Sequence, residues 1–243
     1  MDDLIRLENV SVRFGGLAAL GDVSFAIGTG ELIGVIGPNG AGKTTLFNAM
    51  TGVVAPSTGR VIVGDDDYSR QPAHAFARRG IARTFQTPRV FPHMSVHDNA
   101  AFSALFAGGD LLHGGHAHRA ASEALAYVGL GGEERFAAGA LPPARRRLLE
   151  IAMALTMKPC LLLLDEVAAG LSPLEVEQMG GLIERIRNEK NISIVWIEHA
   201  VATLMRHAKR MLVLHHGELI ADGATATVRA DPRVIEAYLG ETV

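Results

Sequence analysis

The stretch Gly37-Pro38-Asn39-Gly40-Ala41-Gly42-Lys43-Thr44-Thr45 constrains this chain more than any other. It fits G-x-x-x-x-G-K-[ST], with Gly37, Gly42, Lys43 and Thr44 at the fixed positions. Four fixed residues match by chance in roughly one chain of this length in a hundred. Context removes most of that chance. The apolar run Leu32-Ile33-Gly34-Val35-Ile36 stands before it and reads as a buried strand, and Thr45 to Met50 follows as a helix ending at Gly52. Strand, glycine loop and helix is the context of a phosphate-binding loop. Glycines let the backbone turn several N–H groups inward, and the helix N-terminus adds its positive dipole end. Asn39, Gly40, Ala41, Gly42, Lys43, Thr44 and Thr45 are thus the expected nucleotide-binding residues. Lys43 would reach the β- and γ-phosphates and the Thr44 hydroxyl would ligate Mg²⁺.

With 243 residues the chain is long enough for one large domain or two lobes. Its 48% hydrophobic and 20% charged residues describe a folded protein. A net charge of −3 gives no electrostatic case for a nucleic-acid partner. No apolar run approaches a membrane span. The acidic start Met1-Asp2-Asp3 lacks the basic-then-apolar form of a signal peptide, and Cys160 is the one cysteine, so a reducing cytoplasm is expected. Cys160 leads into an apolar strand and reads as core.

Taken in order, Leu4 to Val10 and Val23 to Ile27 alternate as half-buried strands do. Between them Phe14, in Val12-Arg13-Phe14-Gly15-Gly16, reads equally as a base-stacking ring or as core. Arg60 to Val63 is a further strand, and Asp65-Asp66-Asp67 a solvated turn without the spacing of a calcium loop. From about Ser95 to Lys158 the pattern is helical, with Ala-rich segments broken at Gly108-Gly109, Gly114-Gly115 and Gly131-Gly132. His113, His116 and His118 share one glycine-rich stretch, a weak case for a metal without Cys or carboxylate partners.

Leu161-Leu162-Leu163-Leu164-Asp165-Glu166 describes a buried strand with carboxylates at its C-terminal tip. Ligands bind at that end of open α/β sheets. Asp165 is placed to hold Mg²⁺ and Glu166 to orient or deprotonate an attacking water. A helix from about Pro173 to Asn188 follows, then a central-strand pattern, Ile192 to Ile197, ending in Glu198-His199. Met211 to Leu214 and Glu218 to Ala221 read as a hairpin turned by His215-His216-Gly217, and a short helix runs from Pro232 to Leu239.

This order of pieces resembles the ATP-binding subunit of ABC transporters over essentially the full length. Gly37 to Thr45 matches Walker A, Gln86 the Q-loop glutamine, Leu161 to Glu166 Walker B with its following glutamate, Ala169 to Ser172 the D-loop, and His199 the switch histidine; Phe14 falls where the family places its adenine-stacking aromatic. Arg13 to Gly16, Arg83 to Gln86, Glu166 with Ala168 to Leu171, and Ala237 to Glu241 look like the branched-chain amino-acid (or amide and urea) uptake subfamily. The resemblance implies an α/β fold: a P-loop NTPase core with an antiparallel β-subdomain and an inserted helical lobe. That would be one ABC ATPase domain, 1–243, with the core lobe at about 1–87 and 159–243 and the helical lobe at about 88–158. It implies ATP and Mg²⁺ as cofactors, with Thr44, Gln86 and Asp165 about the metal and Glu166, His199 and Gln86 as catalytic residues. It further implies a motor at the inner face of the cell membrane, membrane permease subunits and a second ATPase as partners, and indirectly a solute-binding protein. The rival readings are a soluble ABC ATPase without a permease and a regulatory module with little turnover.

The resemblance fails at one place. The family's L-S-G-G-Q signature aligns to Leu141-Pro142-Pro143-Ala144-Arg145. Its serine hydroxyl and glycine N–H groups donate to the γ-phosphate of a partner's ATP. Proline has no N–H, and Ala144 adds a Cβ where backbone must approach closely. Val167 and Ala200 are smaller departures, standing where proline and aspartate are usual. An asymmetric pair follows, in which this chain's own ATP site is intact and the partner's is weakened. Arg145 either offers its guanidinium to phosphate or belongs, with Arg146 and Arg147, to a solvated helix face.

Overall fold

Alternation of apolar and polar residues builds the front of the molecule. In the computed structural model, which describes residues 3–107 and 114–239, β1 (Asp3–Phe14) and β2 (Leu17–Gly28) form a long antiparallel hairpin, joined by β4 (Thr58–Val63) and the two-residue β5 (Asp66–Asp67) in the order β2-β1-β4-β5. Both hairpin strands run past their expected ends. A register shift between Leu7 and Val10, with Asn9 at φ 48°, lets pairing resume and continue to Phe14 opposite Leu17.

Continuous apolar runs build the second sheet. β3 (Leu32–Ile36), β6 (Ile81–Arg83), β7 (Leu161–Asp165), β8 (Ser193–Ile197), β9 (Arg210–His215) and β10 (Glu218–Ala224) lie in the order β10-β9-β3-β8-β7-β6. All neighbours are parallel except the β9–β10 hairpin. Strands β3, β7 and β8 are buried throughout because both faces are covered, as parallel sheets require. Leu161, Leu163, Val195 and Ile197 point into the core shared with the antiparallel sheet and with α1 (Lys43–Met50). Leu162, Leu164, Ile194 and Trp196 point the other way, toward the helices.

Among the described residues three α-helices stand between β6 and β7: α3 (Val96–Ala107), α4 (Gly114–Tyr127) and α5 (Pro143–Thr156); α2 (Ala73–Arg78) precedes β6. After β7 come α6 (Pro173–Lys190), α7 (Val201–His207), α8 (Thr225–Arg229) and α9 (Pro232–Leu239). Gly114-Gly115, expected to break the helical pattern, are themselves helical within α4. Gly108-Gly109 lies outside the described residues, as do His113 and the ends Met1-Asp2 and Gly240 to Val243.

Several expectations change with the third dimension. His116 and His118 sit on α4, not in a loop, and the His118 ring stacks on His97 of α3 at 5.0 Å. Among the described residues no group of three or more His, Cys, Asp and Glu could hold a metal. Cys160 is only half-buried, beside the edge strand β6, with its thiol 3.4 Å from the Arg79 carbonyl; burial pushes its pKa up. The acidic turn is exposed as expected, with Asp66 paired to Arg79 and Asp67 accepting from the Ser69 hydroxyl. Among the described residues no helix is long and apolar enough to cross a membrane.

Candidate active site

The phosphate loop leaves β3 at buried Ile36 and enters α1 at Lys43. Close packing sets its path. A Cβ on Gly37 would stand 2.2 Å from the Leu214 carbonyl oxygen, and one on Gly42 2.6 Å from that of Ala19. The Ala41 carbonyl accepts from Gly217 N–H at 3.1 Å, pinning the loop to the β9–β10 turn. Gly42 caps α1 at φ 99° without a side-chain bond, so the first-turn N–H groups of α1 have no capping side chain. Lys43 Nζ donates to the Gly37 and Pro38 carbonyls at 2.5 and 2.9 Å, which holds the ammonium across the loop.

A cavity of about 450 Å³ opens above this loop, lined by Asn39 to Thr45, by Phe14 and Leu17 of the first hairpin, and by Gln86, Glu166 and His199. Phe14 is 52% exposed, which removes the core reading and leaves its ring at the cavity. A larger groove of about 650 Å³ between α4, α5 and α6 lies away from these residues.

The acidic strand tip arrives opposite. Asp165 is 2% exposed and ends β7; its N–H donates to Thr84 Oγ1 at 3.1 Å. Burial raises its pKa against the pull of Arg83, whose Nη2 lies 3.2 Å from Oδ2. Arg83 also donates to Asn48 Oδ1 of α1 at 2.8 Å, so one buried guanidinium ties the acidic strand to the phosphate-loop helix. Glu166 holds φ 51°, a left-handed conformation that costs a non-glycine residue about 1–2 kcal/mol. Its carboxylate is gripped on both oxygens. Gln86 Nε2 donates to Oε2 at 2.9 Å, and His199 Nε2 lies 2.9 Å from Oε1. Residues 80 and 33 positions apart in sequence therefore meet on one carboxylate.

Four charged side chains behind this trio were given no catalytic part by sequence reasoning: Arg83, Arg147, Glu150 and Glu198. Glu198 is 3% exposed, its Oε1 accepting from Ala168 N–H at 2.6 Å and Trp196 Nε1 at 3.1 Å; burial raises its pKa. Arg147 on α5 is buried and donates to the carbonyls of Gln86 and Ala169 at 3.4 and 3.1 Å. Glu150, one turn on, accepts through Oε1 from the N–H groups of Phe85 and Arg89 at 3.2 and 3.1 Å, and burial pushes its carboxyl up to about 7. The signal was present as charges set among apolar neighbours, but a linear reading does not show which backbone groups they satisfy.

The segment Leu141 to Arg145 begins α5 with Pro142 as N-cap and Pro143 in the first turn, and no side chain caps it. The arginine run is not a solvated face. Arg145 pairs with Glu133, and Arg146 donates to the carbonyls of Leu141 and Gly139 at 2.8 and 3.2 Å. Val167 is fully buried against the helices.

Glycine loop, strand-end carboxylates and bounding glutamine and histidine define a nucleotide-triphosphatase built on a P-loop sheet with an antiparallel annex. The chain belongs to the ABC transporter family, whose model matches residues 20–169; a second model, described as Branched-chain amino acid ATP-binding cassette transporter, matches residues 218–243. It is accordingly an ABC-type ATPase that binds ATP. Among curated relatives, it is 36% identical to the high-affinity branched-chain amino acid transport ATP-binding protein BraF of Pseudomonas aeruginosa and 37% to LivG of Escherichia coli, over 98% of each chain. It is 34% identical, over 96% of each chain, to the lipopolysaccharide export system ATP-binding protein LptB of Escherichia coli. Among solved structures, a nucleotide-free ATP-binding cassette from an ABC transporter superposes with a TM-score of 0.88 at 29% identity, covering 98% of this chain and all of that one. The ADP conformation of such a cassette gives 0.85 at 28% identity, with 99% and 100% covered.

Proposed function

We propose that this chain is the ATP-hydrolysing motor subunit of an importer for branched-chain amino acids or related small polar solutes. The observation that carries the reading is the Glu166 carboxylate held between Gln86 and His199 at the mouth of the phosphate-loop cavity. The C-terminal family match and the likeness to BraF and LivG support the solute class and the direction.

The residues present fit ATP and Mg²⁺. Gly40 leaves open space where a Cβ would stand, and exposed Thr44 faces the same cavity. Thr44, Gln86 and Asp165 would hold Mg²⁺, which neutralises phosphate charge when bound. Asn39 to Thr45 cradle the phosphates, and Phe14 offers a face for the base. Glu166 takes a proton from, or orients, the attacking water, while Gln86 and His199 keep its carboxylate aimed.

In this reading residues 1–87 and 159–243 form the core lobe and 88–158 the helical lobe. The chain sits on the cytoplasmic face of the membrane, bound to permease subunits. Exposed Phe91, Phe102 and Phe106 support a permease contact: they form an edge-to-face ladder at 5.1 and 4.9 Å just beyond Gln86. A second, different ATPase with an intact signature is the favoured partner, because two successive prolines remove N–H donors at the start of α5.

Glu166→Gln is the test. The variant should bind ATP as the wild type does and lose hydrolysis by a factor on the order of a hundred or more. Wild-type turnover in Glu166→Gln would assign the proton transfer elsewhere. Loss of leucine, isoleucine and valine uptake, but not of ATP binding, in cells carrying only Glu166→Gln supports the importer; unchanged uptake overturns it.

A further inference from the structure

Gln86 is exposed, and it sits on a loop with no regular structure. Something must fix its backbone if its amide is to stay 2.9 Å from Glu166. The fixing groups come from helices beyond the loop. Glu150 Oε1 accepts the N–H groups of Phe85 and Arg89, which bracket Gln86-Thr87-Pro88. Arg147, one turn earlier on α5, donates to the Gln86 carbonyl and also to that of Ala169, three residues past Glu166. Buried Asn99 of α3 accepts from Phe91 N–H at 2.7 Å and donates to the Phe91 carbonyl at 3.1 Å, closing the far end of the loop.

We propose that Glu150, with Arg147 beside it, is a positioning residue: it sets the backbone on which Gln86 stands, so the placement of α5 is read directly by the catalytic carboxylate. Both side chains are buried, 5% and 9% exposed, and their partners are main-chain groups of the site's own loops. Both N–H groups lose this partner if Glu150 goes, so the loop holds its shape while Glu150 holds both donors. If α5 shifts, Gln86 and the turn after Glu166 shift together. The inference rests on the reading above in which Gln86 and Glu166 act in hydrolysis.

The test is steady-state ATP hydrolysis by the assembled two-ATPase complex carrying each variant of this chain, with melting temperature and affinity for trinitrophenyl-ATP measured on each purified variant. Glu150→Ala should lower kcat about ten- to a hundredfold, as small misplacements at a site do, with KM for ATP within about twofold because the phosphate loop is untouched. Glu150→Gln keeps an acceptor oxygen and should recover kcat to within about threefold of wild type. Arg147→Met should lower kcat in the same sense. Wild-type kcat in Glu150→Ala overturns the proposal. So does an equal loss in Glu150→Gln, or a rise in KM with kcat unchanged. Should Glu150→Ala fail to fold, Arg147→Met decides, and wild-type kcat there overturns it. Glu166→Gln separates the two levels. Wild-type turnover in that variant overturns the site reading itself, whereas an inactive Glu166→Gln beside a fully active Glu150→Ala overturns only the positioning role.

Discussion

Single residues at this site act through what stands against them. Gly37 is needed for closeness: alanine there would drive a Cβ to 2.2 Å from the Leu214 carbonyl, a main-chain atom that cannot swing away. Gly37→Ala should therefore destabilise the fold by roughly 1–3 kcal/mol and weaken ATP binding, read by urea denaturation and nucleotide titration. Glu150 makes a pH-dependent prediction. Burial raises its carboxyl from an ordinary 4.5 to about 7. The neutral form is favoured in the fold, so its contribution is full below the unfolded value and is lost as pH rises through about 7. Glu150→Gln abolishes that titration while sharing every other group. The difference in unfolding free energy between wild type and Glu150→Gln should thus change, against wild type, by on the order of 3 kcal/mol between about pH 4 and pH 8. Denaturant melts across that range measure it; a difference that stays flat would mean the carboxyl titrates normally.

Elements owe their ends to local chemistry and their service to position. α6 starts where the sequence places it, after Ser172, through a capping box. Glu175 Oε2 accepts from Ser172 N–H at 2.8 Å, and Ser172 Oγ accepts from Glu175 N–H at 3.4 Å. It runs to Lys190, two residues beyond the expected Asn188, because Asn191 takes the left-handed turn at φ 52° that stops it. Ser172→Ala should cost about 1 kcal/mol, seen as a lower urea midpoint at unchanged slope. A variant as stable as wild type would show that packing of Met179, Leu182 and Ile183, all buried, carries the helix without its cap. α4 teaches the opposite lesson. Glycines at 114 and 115 read as a break, yet both are helical, the buried stripe of Ala117, Ala121, Ala124 and Leu125 outweighing the local cost of glycine.

The whole molecule is asymmetric in what it keeps. Its own loop, Glu166, Gln86 and His199 converge on one cavity, while the start of α5 presents Pro142, Pro143 and an arginine already paired with Glu133. In a head-to-tail pair the second site would face these residues. Replacing Pro142 by Ser, Ala144 by Gly and Arg145 by Gln together should raise ATP turnover of the assembled two-ATPase complex several-fold, because hydrogen-bond donors aimed at phosphate are restored. An unchanged rate in that complex would remove the case for a weakened partner site.

Much of this was readable from residue order. A phosphate loop uses consecutive residues, so its glycines, lysine and threonine appear as a motif; fully buried strands appear as apolar runs; and Asp165, Glu166 and His199 stand out as polar groups at the ends of such runs. Folding was needed to bring Gln86, Glu166 and His199 onto one carboxylate, because β6, β7 and β8 are adjacent only in the sheet. It was needed too for Phe14, which the residue pattern left between core and cavity. Least legible were Arg83, Arg147, Glu150 and Glu198. Their worth lies in main-chain and carboxylate groups they reach across the fold, and a one-dimensional pattern records charge without recording what that charge meets.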